Sequence, residues 1–98
     1  MAVMLIARFD GDVERLRSAY DEAHRLIMAS GGPPGELRHH CAIGDGALYI
    51  IGVWETEEGL RERIEGTALE ETLTSVGFPS FSTADIEILQ LHATEPPL

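Results

Sequence analysis

With 98 residues, the chain has room for one domain, residues 1–98, and not for two separate cores. Its 17 acidic and 7 basic residues give a formal net charge of -10, which repels phosphate backbones and anionic lipids and excludes nucleic acid and membranes as partners. All of the basic residues are arginine, which excludes Schiff-base chemistry because that reaction needs a lysine amine.

The first predicted element is a strand over residues 2–9, which are mostly apolar and are expected to be buried on both faces. An apolar run this short is neither a signal peptide nor a membrane span, so we expect a cytoplasmic protein. Asp10 or Asp12 then caps a helix over residues 13–29. Apolar residues recur along one stripe of that helix, namely Val13, Leu16, Tyr20, Ala23 and Ile27.

Residues 36–43 and 47–54 are predicted to form a β-hairpin, because Asp45-Gly46 between them is a strong turn signal. With a two-residue turn, the numbers of paired residues sum to 91. The face then turned toward the helices holds Leu37, His39, Cys41, Ile43, Leu48, Ile50, Gly52 and Trp54. His40 then lies on the opposite face. If the loop has three residues instead, His40 faces the helices and His39 lies on the opposite face.

The second helix is predicted over residues 57–76, with Thr56 as its cap. Gly66 lies in its middle, where a glycine can kink or split a helix. Residues 83–92, which include Ile86, Ile88, Leu89 and Leu91, are predicted to form the last strand. The proline-containing tail that follows is expected to be loose.

The element order β-α-β-β-α-β predicts an α+β, ferredoxin-like fold, in which two helices cover one face of a four-stranded antiparallel sheet. The opposite face is also rich in apolar side chains. A large apolar surface of this kind is rarely left in contact with water. We therefore expect a homodimer in which two such sheets pack face to face.

The segment Val-Trp-Glu-Thr-Glu-Glu, residues 53–58, joins the third strand to the second helix. With this segment and element order, the chain resembles the dimeric α+β barrel superfamily, and within it the antibiotic biosynthesis monooxygenase-like group. The resemblance implies two sheets paired into a barrel and a small organic ligand between each sheet and its helices. Trp54 matches a strand-end tryptophan that lines this cleft in several members.

Haem-degrading members of that superfamily use a histidine on the second helix as the iron ligand. Residues 57–76 contain no histidine, so no haem is expected, and we predict no other cofactor. His39 and His40 are adjacent on a strand and point to opposite faces, so they are not expected to share a metal ion. No metal site is therefore predicted.

The candidate site is an apolar pocket with a few polar groups. His39 is the predicted catalytic residue, because an imidazole takes or gives a proton near neutral pH. The predicted ligand-binding residues are Tyr20, His24, Cys41, Gly52 and Trp54. Gly52 is expected to leave open space beside the imidazole of His39, and Cys41 to be a buried thiol.

Phosphate-loop, His-Glu-x-x-His and Gly-x-Ser-x-Gly motifs are absent, which argues against nucleotide, zinc-hydrolase and serine-hydrolase chemistry. Two functions stay open. The first is a cofactor-independent monooxygenase or isomerase acting on an aromatic, phenolic or polyketide-like molecule. The second is a non-catalytic ligand-binding or stress-associated homodimer that uses the same cleft. A subunit of a larger assembly with no open cavity is a further alternative.

Overall fold

The computed structural model describes residues 1–98, and its elements follow the predicted order except that the second helix is divided in two. The elements are β1 (Val3–Asp10), α1 (Val13–Ala29), β2 (Glu36–Gly44), β3 (Ala47–Trp54), α2 (Glu57–Glu65), α3 (Thr67–Val76) and β4 (Asp85–Gln90). The prediction of an α+β fold with a four-stranded antiparallel sheet is confirmed. β4 is shorter than predicted, because Phe81–Thr83 forms a 3-10 turn before it.

The helices α1 and α2 begin at the predicted caps. The carboxylate of Asp12 accepts hydrogen bonds from the backbone amides of Glu14 and Arg15, and the hydroxyl of Thr56 accepts one from the amide of Gly59. These bonds satisfy amides that have no partner inside the helix.

Gly66 separates α2 from α3. Its backbone is extended, with φ -76° and ψ 158°. A Cβ at this position would lie 2.9 Å from the carbonyl oxygen of Glu62, a contact that real Cβ atoms essentially never make. The predicted break at Gly66 is therefore confirmed, and the close approach of the preceding turn explains why a glycine occupies it.

The strands lie in the order β2-β3-β1-β4, and every neighbouring pair is antiparallel. His39 pairs with Gly52 and His40 with Ile51, so the register predicted from the two-residue turn is confirmed. The register shifts once, between Glu36 and Arg38. This shift is a β-bulge near the start of β2.

One face of the sheet packs against the helices and forms the core. The buried residues include Val3, Leu5, Ala7, Phe9, Leu16, Leu48, Ile50, Trp54, Leu60, Leu69, Leu73, Phe78 and Phe81. The expectation that β1 is buried on both faces was wrong for the single chain. Its alternate residues Met4 and Ile6 are half-buried and Arg8 is exposed, because no second layer covers that face.

The C-terminal tail is tied to the sheet rather than loose. The amide of Leu91 donates to the carbonyl of Ala2, and the guanidinium of Arg38 donates to the carbonyl of Pro96 at 3.0 Å. The tail thus extends from the β4 edge to a residue of β2. No helix of the chain has both the length and the hydropathy needed to cross a membrane.

Candidate functional site

A cavity of about 370 Å³ lies between the helices and the covered face of the sheet. Most of its lining is hydrophobic, and its apolar walls include Leu5, Ile27, Ile50, Leu69, Leu73 and Phe78. The volume falls in the range of small-molecule sites, about 300–1,000 Å³. The predicted cleft between sheet and helices is therefore present and open.

Three side chains form a hydrogen-bonded relay at the wall of this cavity. The Tyr20 hydroxyl lies 2.6 Å from Nε2 of His39, and Nδ1 of His39 lies 3.1 Å from Oε2 of Glu36. The relay (Tyr20, His39 and Glu36) joins α1 to β2. All three residues line the cavity, and the side chains of His39 and Glu36 are largely buried.

The proton positions in the relay follow from its chemistry. Burial, and secondarily the nearby Cys41 and Glu36, raise the pKa of Tyr20 to about 12. The phenol is therefore protonated at neutral pH and can donate to Nε2 of a neutral His39. Nδ1 then carries the hydrogen and donates it to the Glu36 carboxylate, since that oxygen accepts only. The carboxylate holds the imidazole in the tautomer whose Nε2 can receive a proton.

His24 adds a third ring beside Tyr20 and His39. The ring centroids are 5.7 Å apart for Tyr20 and His24, 5.7 Å for His24 and His39, and 6.0 Å for Tyr20 and His39. The three planes lie within 24° of one another. This near-parallel arrangement gives the cavity a wall of rings suited to a flat aromatic ligand.

Trp54 supplies a polar group outside the relay, its indole N–H. Its side chain lines the cavity and the residue is only 3% exposed. Its indole Nε1 is buried and has no hydrogen-bond partner in the protein. A buried donor without a partner costs about 1–3 kcal/mol, so an acceptor atom on a bound ligand would be strongly favoured there.

Gly52 lies next to the Glu36 carboxylate and the Trp54 indole. It leaves no open space beside His39, contrary to our expectation. A Cβ at Gly52 would meet Oε2 of Glu36 at 3.0 Å and Nε1 of Trp54 at 3.1 Å. The space is filled by that carboxylate and that indole. Gly52 therefore allows two polar groups to approach the strand closely.

The structure brings together four of the six predicted site residues, Tyr20, His24, His39 and Trp54, around the cavity. Gly52 and Cys41 do not line it. The prediction of a buried thiol was wrong, because Cys41 is exposed on the edge strand β2. Partial burial of the sulfur, and then Asp21, raise the pKa of this thiol, which makes it a weak nucleophile at neutral pH.

Glu36 was missed by the sequence analysis. In a regular strand, residues three apart point to opposite faces, so Glu36 and His39 would be separated. The β-bulge between Glu36 and Arg38 brings both to the cavity side. Arg63 on α2 also lines the cavity and was not predicted. No group of three or more His, Cys, Asp or Glu side chains is arranged to hold a metal ion.

Comparison with known proteins supports the fold. No protein-family model matches the chain, and no curated protein matches it. Among solved structures, SnoaB from Streptomyces nogalater, a cofactor-independent oxygenase, is similar with a TM-score of 0.68 and 18% identity over 97% of each chain. Rv0793 from Mycobacterium tuberculosis is similar with a TM-score of 0.68 and 14% identity, over 97% of this chain and 99% of its own.

An antibiotic biosynthesis monooxygenase is also similar, with a TM-score of 0.66 and 11% identity over 93% of this chain and 99% of its own. Identities this low establish the fold and leave the activity to be argued from the site. The protomer fold of this chain is the one seen in these solved structures, several of which are described as antibiotic biosynthesis monooxygenases.

Proposed function

We propose that the protein is a cofactor-independent oxygenase of a small phenolic aromatic molecule bound in the cavity. The observation that carries this proposal is the relay of Tyr20, His39 and Glu36 on the wall of an apolar cavity. Such a relay can take a proton from a bound hydroxyl. The similarity to SnoaB, which is itself a cofactor-independent oxygenase, supports the proposal.

The ligand binds through the apolar walls of the cavity, the wall of aromatic rings and the unpaired indole N–H of Trp54. The ligand ring lies against the rings of Tyr20, His24 and His39. An oxygen atom of the ligand accepts the hydrogen bond that Nε1 of Trp54 makes to no protein group. Burial of a flat ring provides most of the affinity, and the polar groups fix its orientation.

The chemical step begins with proton transfer. The phenol of the ligand gives its proton to the Tyr20 oxygen as the Tyr20 proton passes to Nε2 of His39. The Glu36 carboxylate, 3.1 Å from Nδ1, stabilises the imidazolium that forms. A positioned base of this kind contributes about 10²–10⁴-fold to a rate.

The phenolate is electron-rich and reduces dioxygen. With 1-naphthol as the model substrate, dioxygen oxidises it to 1,4-naphthoquinone and water. The C–H bond opposite the hydroxyl is replaced by a C=O bond to one oxygen atom. The second oxygen atom takes the ring hydrogen and the hydroxyl hydrogen and leaves as water, which His39 assists by returning the proton it received.

The proposed assembly is a homodimer through the open face, the side of the sheet away from the helices. Met4, Ile6 and Ile51 are only half-buried there, and Leu89 is 45% exposed. Pairing two such faces removes this apolar surface from water. Light scattering should give about twice the 10.7 kDa chain mass. Location in the cytoplasm stays a prediction from the sequence.

Oxygen consumption with 1-naphthol tests the proposed activity. We expect catalysed uptake with quinone formation, and at least a 100-fold lower kcat for His39→Ala. His40→Ala is the matched control, since His40 is the neighbouring histidine on the other face of the sheet. An unchanged kcat for His39→Ala contradicts the mechanism. Saturable naphthol binding without oxygen uptake contradicts catalysis and leaves ligand binding as the function.

A further inference from the structure

We propose that Arg63 binds a carboxylate of the ligand, so that the ligand is a hydroxyaryl carboxylic acid rather than a neutral phenol. This inference rests on the proposed function in using the same cavity and extends it to the substrate class. It assigns the hydroxyl end of the ligand to the relay and the acid end to the guanidinium of Arg63.

The first observation is that Arg63 lines the cavity and yet has no partner. It makes no ion pair or hydrogen bond, whereas Arg61, two residues earlier on the same helix, bonds to Glu57 at 2.8 Å. Arg8, Arg17 and Arg25 also have carboxylate partners. Arg15 also has no side-chain partner, but it is exposed, whereas Arg63 is half-buried and lines the cavity.

The second observation is that the polar groups already in the cavity do not satisfy Arg63. Glu36 is the only acidic residue of the lining, and its carboxylate is bonded to His39. Arg38, the other arginine of the lining, donates instead to the tail carbonyls of Pro96 and Pro97. Arg63 is thus the one cationic side chain of the cavity whose N–H groups are all free.

The chemistry of the guanidinium indicates that the ligand group is a carboxylate. Arginine offers five N–H donors in a planar fork, which matches the two oxygens of a carboxylate. A position near the C-terminal end of α2 gives a cation a favourable helix-dipole interaction, but this does not require the side chain to face an apolar cavity. An anion held there would form a charge-assisted pair in partly desolvated surroundings.

Calorimetric titration with 5-hydroxy-2-naphthoate and its methyl ester tests this inference, because both keep the C–H bond opposite the hydroxyl that the proposed oxygenation uses. The two probes share the ring and the hydroxyl and differ in the charge at the far end. We expect the wild type to bind the acid at least about tenfold more tightly than the ester. Arg63→Gln should remove that preference by weakening the binding of the acid, and Arg63→Lys should retain part of it.

Arg61→Gln is the control, since it makes the same charge change on the same helix outside this cavity. It should keep the preference for the acid. Equal affinities for the two probes in the wild type, or an undiminished preference in Arg63→Gln, would overturn the inference. Circular dichroism confirms that each variant is folded, and Arg63→Lys supplies the comparison if the glutamine variant is not.

The same titrations separate this inference from the proposed function. A preference for the acid that depends on Arg63, with no oxygen uptake for either probe, supports the carboxylate site and contradicts the oxygenase. Oxygen uptake with equal affinities for acid and ester supports the oxygenase and contradicts the carboxylate site. Failure of both probes to bind overturns both.

Discussion

Replacing Gly52 by alanine tests whether the backbone of β3 keeps the relay in position. The added Cβ would lie 3.0 Å from Oε2 of Glu36, and ordinary contacts begin at 3.4 Å, so the carboxylate must move by about 0.4 Å. A shift of that size away from His39 lengthens the 3.1 Å hydrogen bond to about 3.5 Å. That distance is beyond the usual range of about 2.7–3.2 Å.

The energetic consequence is a weakened charge-assisted hydrogen bond. Losing such a bond entirely costs about 1.5–3 kcal/mol, so we expect weakening to cost about 1 kcal/mol. Because the bond strengthens when His39 becomes an imidazolium, the cost falls mainly on the transition state. A cost of about 1 kcal/mol corresponds to about a fivefold lower kcat for oxygen consumption with 1-naphthol.

A double-mutant cycle with Glu36→Ala decides whether the effect of Gly52→Ala passes through the carboxylate. In the Glu36→Ala background the added methyl still meets Nε1 of Trp54 at 3.1 Å but has no carboxylate to displace, so it should lower kcat by a smaller factor than in the wild type. Urea denaturation provides the same cycle for the free energy of unfolding, independently of turnover. If Gly52→Ala lowers both quantities by the same amount with and without Glu36, the reasoning about this contact is refuted.

Three further outcomes are expected. Tyr20→Phe should remove a pH dependence of stability: the folded-state pKa of about 12 lies above the ordinary value of 10, so the wild type loses stability as pH rises from 10 to 12. Allowing for the partial solvent exposure of Tyr20, that loss is about 1–2 kcal/mol in urea denaturation; an equal loss in Tyr20→Phe would show that Tyr20 is not its source. Asp12→Ala should lower the free energy of unfolding by about 1 kcal/mol through loss of the α1 cap, and no change would mean that water replaces the cap. Ile51→Glu should convert the dimer to a monomer in light scattering, and a persistent dimer would place the interface elsewhere.

Much of the fold was predictable because local signals agreed with the tertiary arrangement. Asp45-Gly46 predicted a two-residue turn, and the observed register, with His39 opposite Gly52, confirms that turn over the three-residue loop that would have exchanged His39 and His40. Gly66 indicated the break between α2 and α3. In each case the physical cause lies within a few residues of the signal.

The parts that were not predictable depend on contacts between distant residues or on a local irregularity. Nothing in the sequence marks the β-bulge that turns Glu36 toward His39. Cys41 lies in an apolar run that resembles a buried strand, but β2 is at the edge of the sheet and leaves it exposed. The space beside Gly52 is filled by side chains from other positions, which a pairing pattern does not show.

The β-bulge in β2 also bears on how the protein avoids aggregation. A sheet edge with unpaired amides and carbonyls is a template for further strands, and irregular, short or charged edges discourage such growth. The bulge interrupts one edge of this sheet, and the other edge is the six-residue β4, which begins with Asp85-Ile86-Glu87. Edge-to-edge stacking into fibres is therefore disfavoured at both sides of the sheet. In the proposed homodimer the open face pairs with the same face of one other copy, so that association ends at two chains.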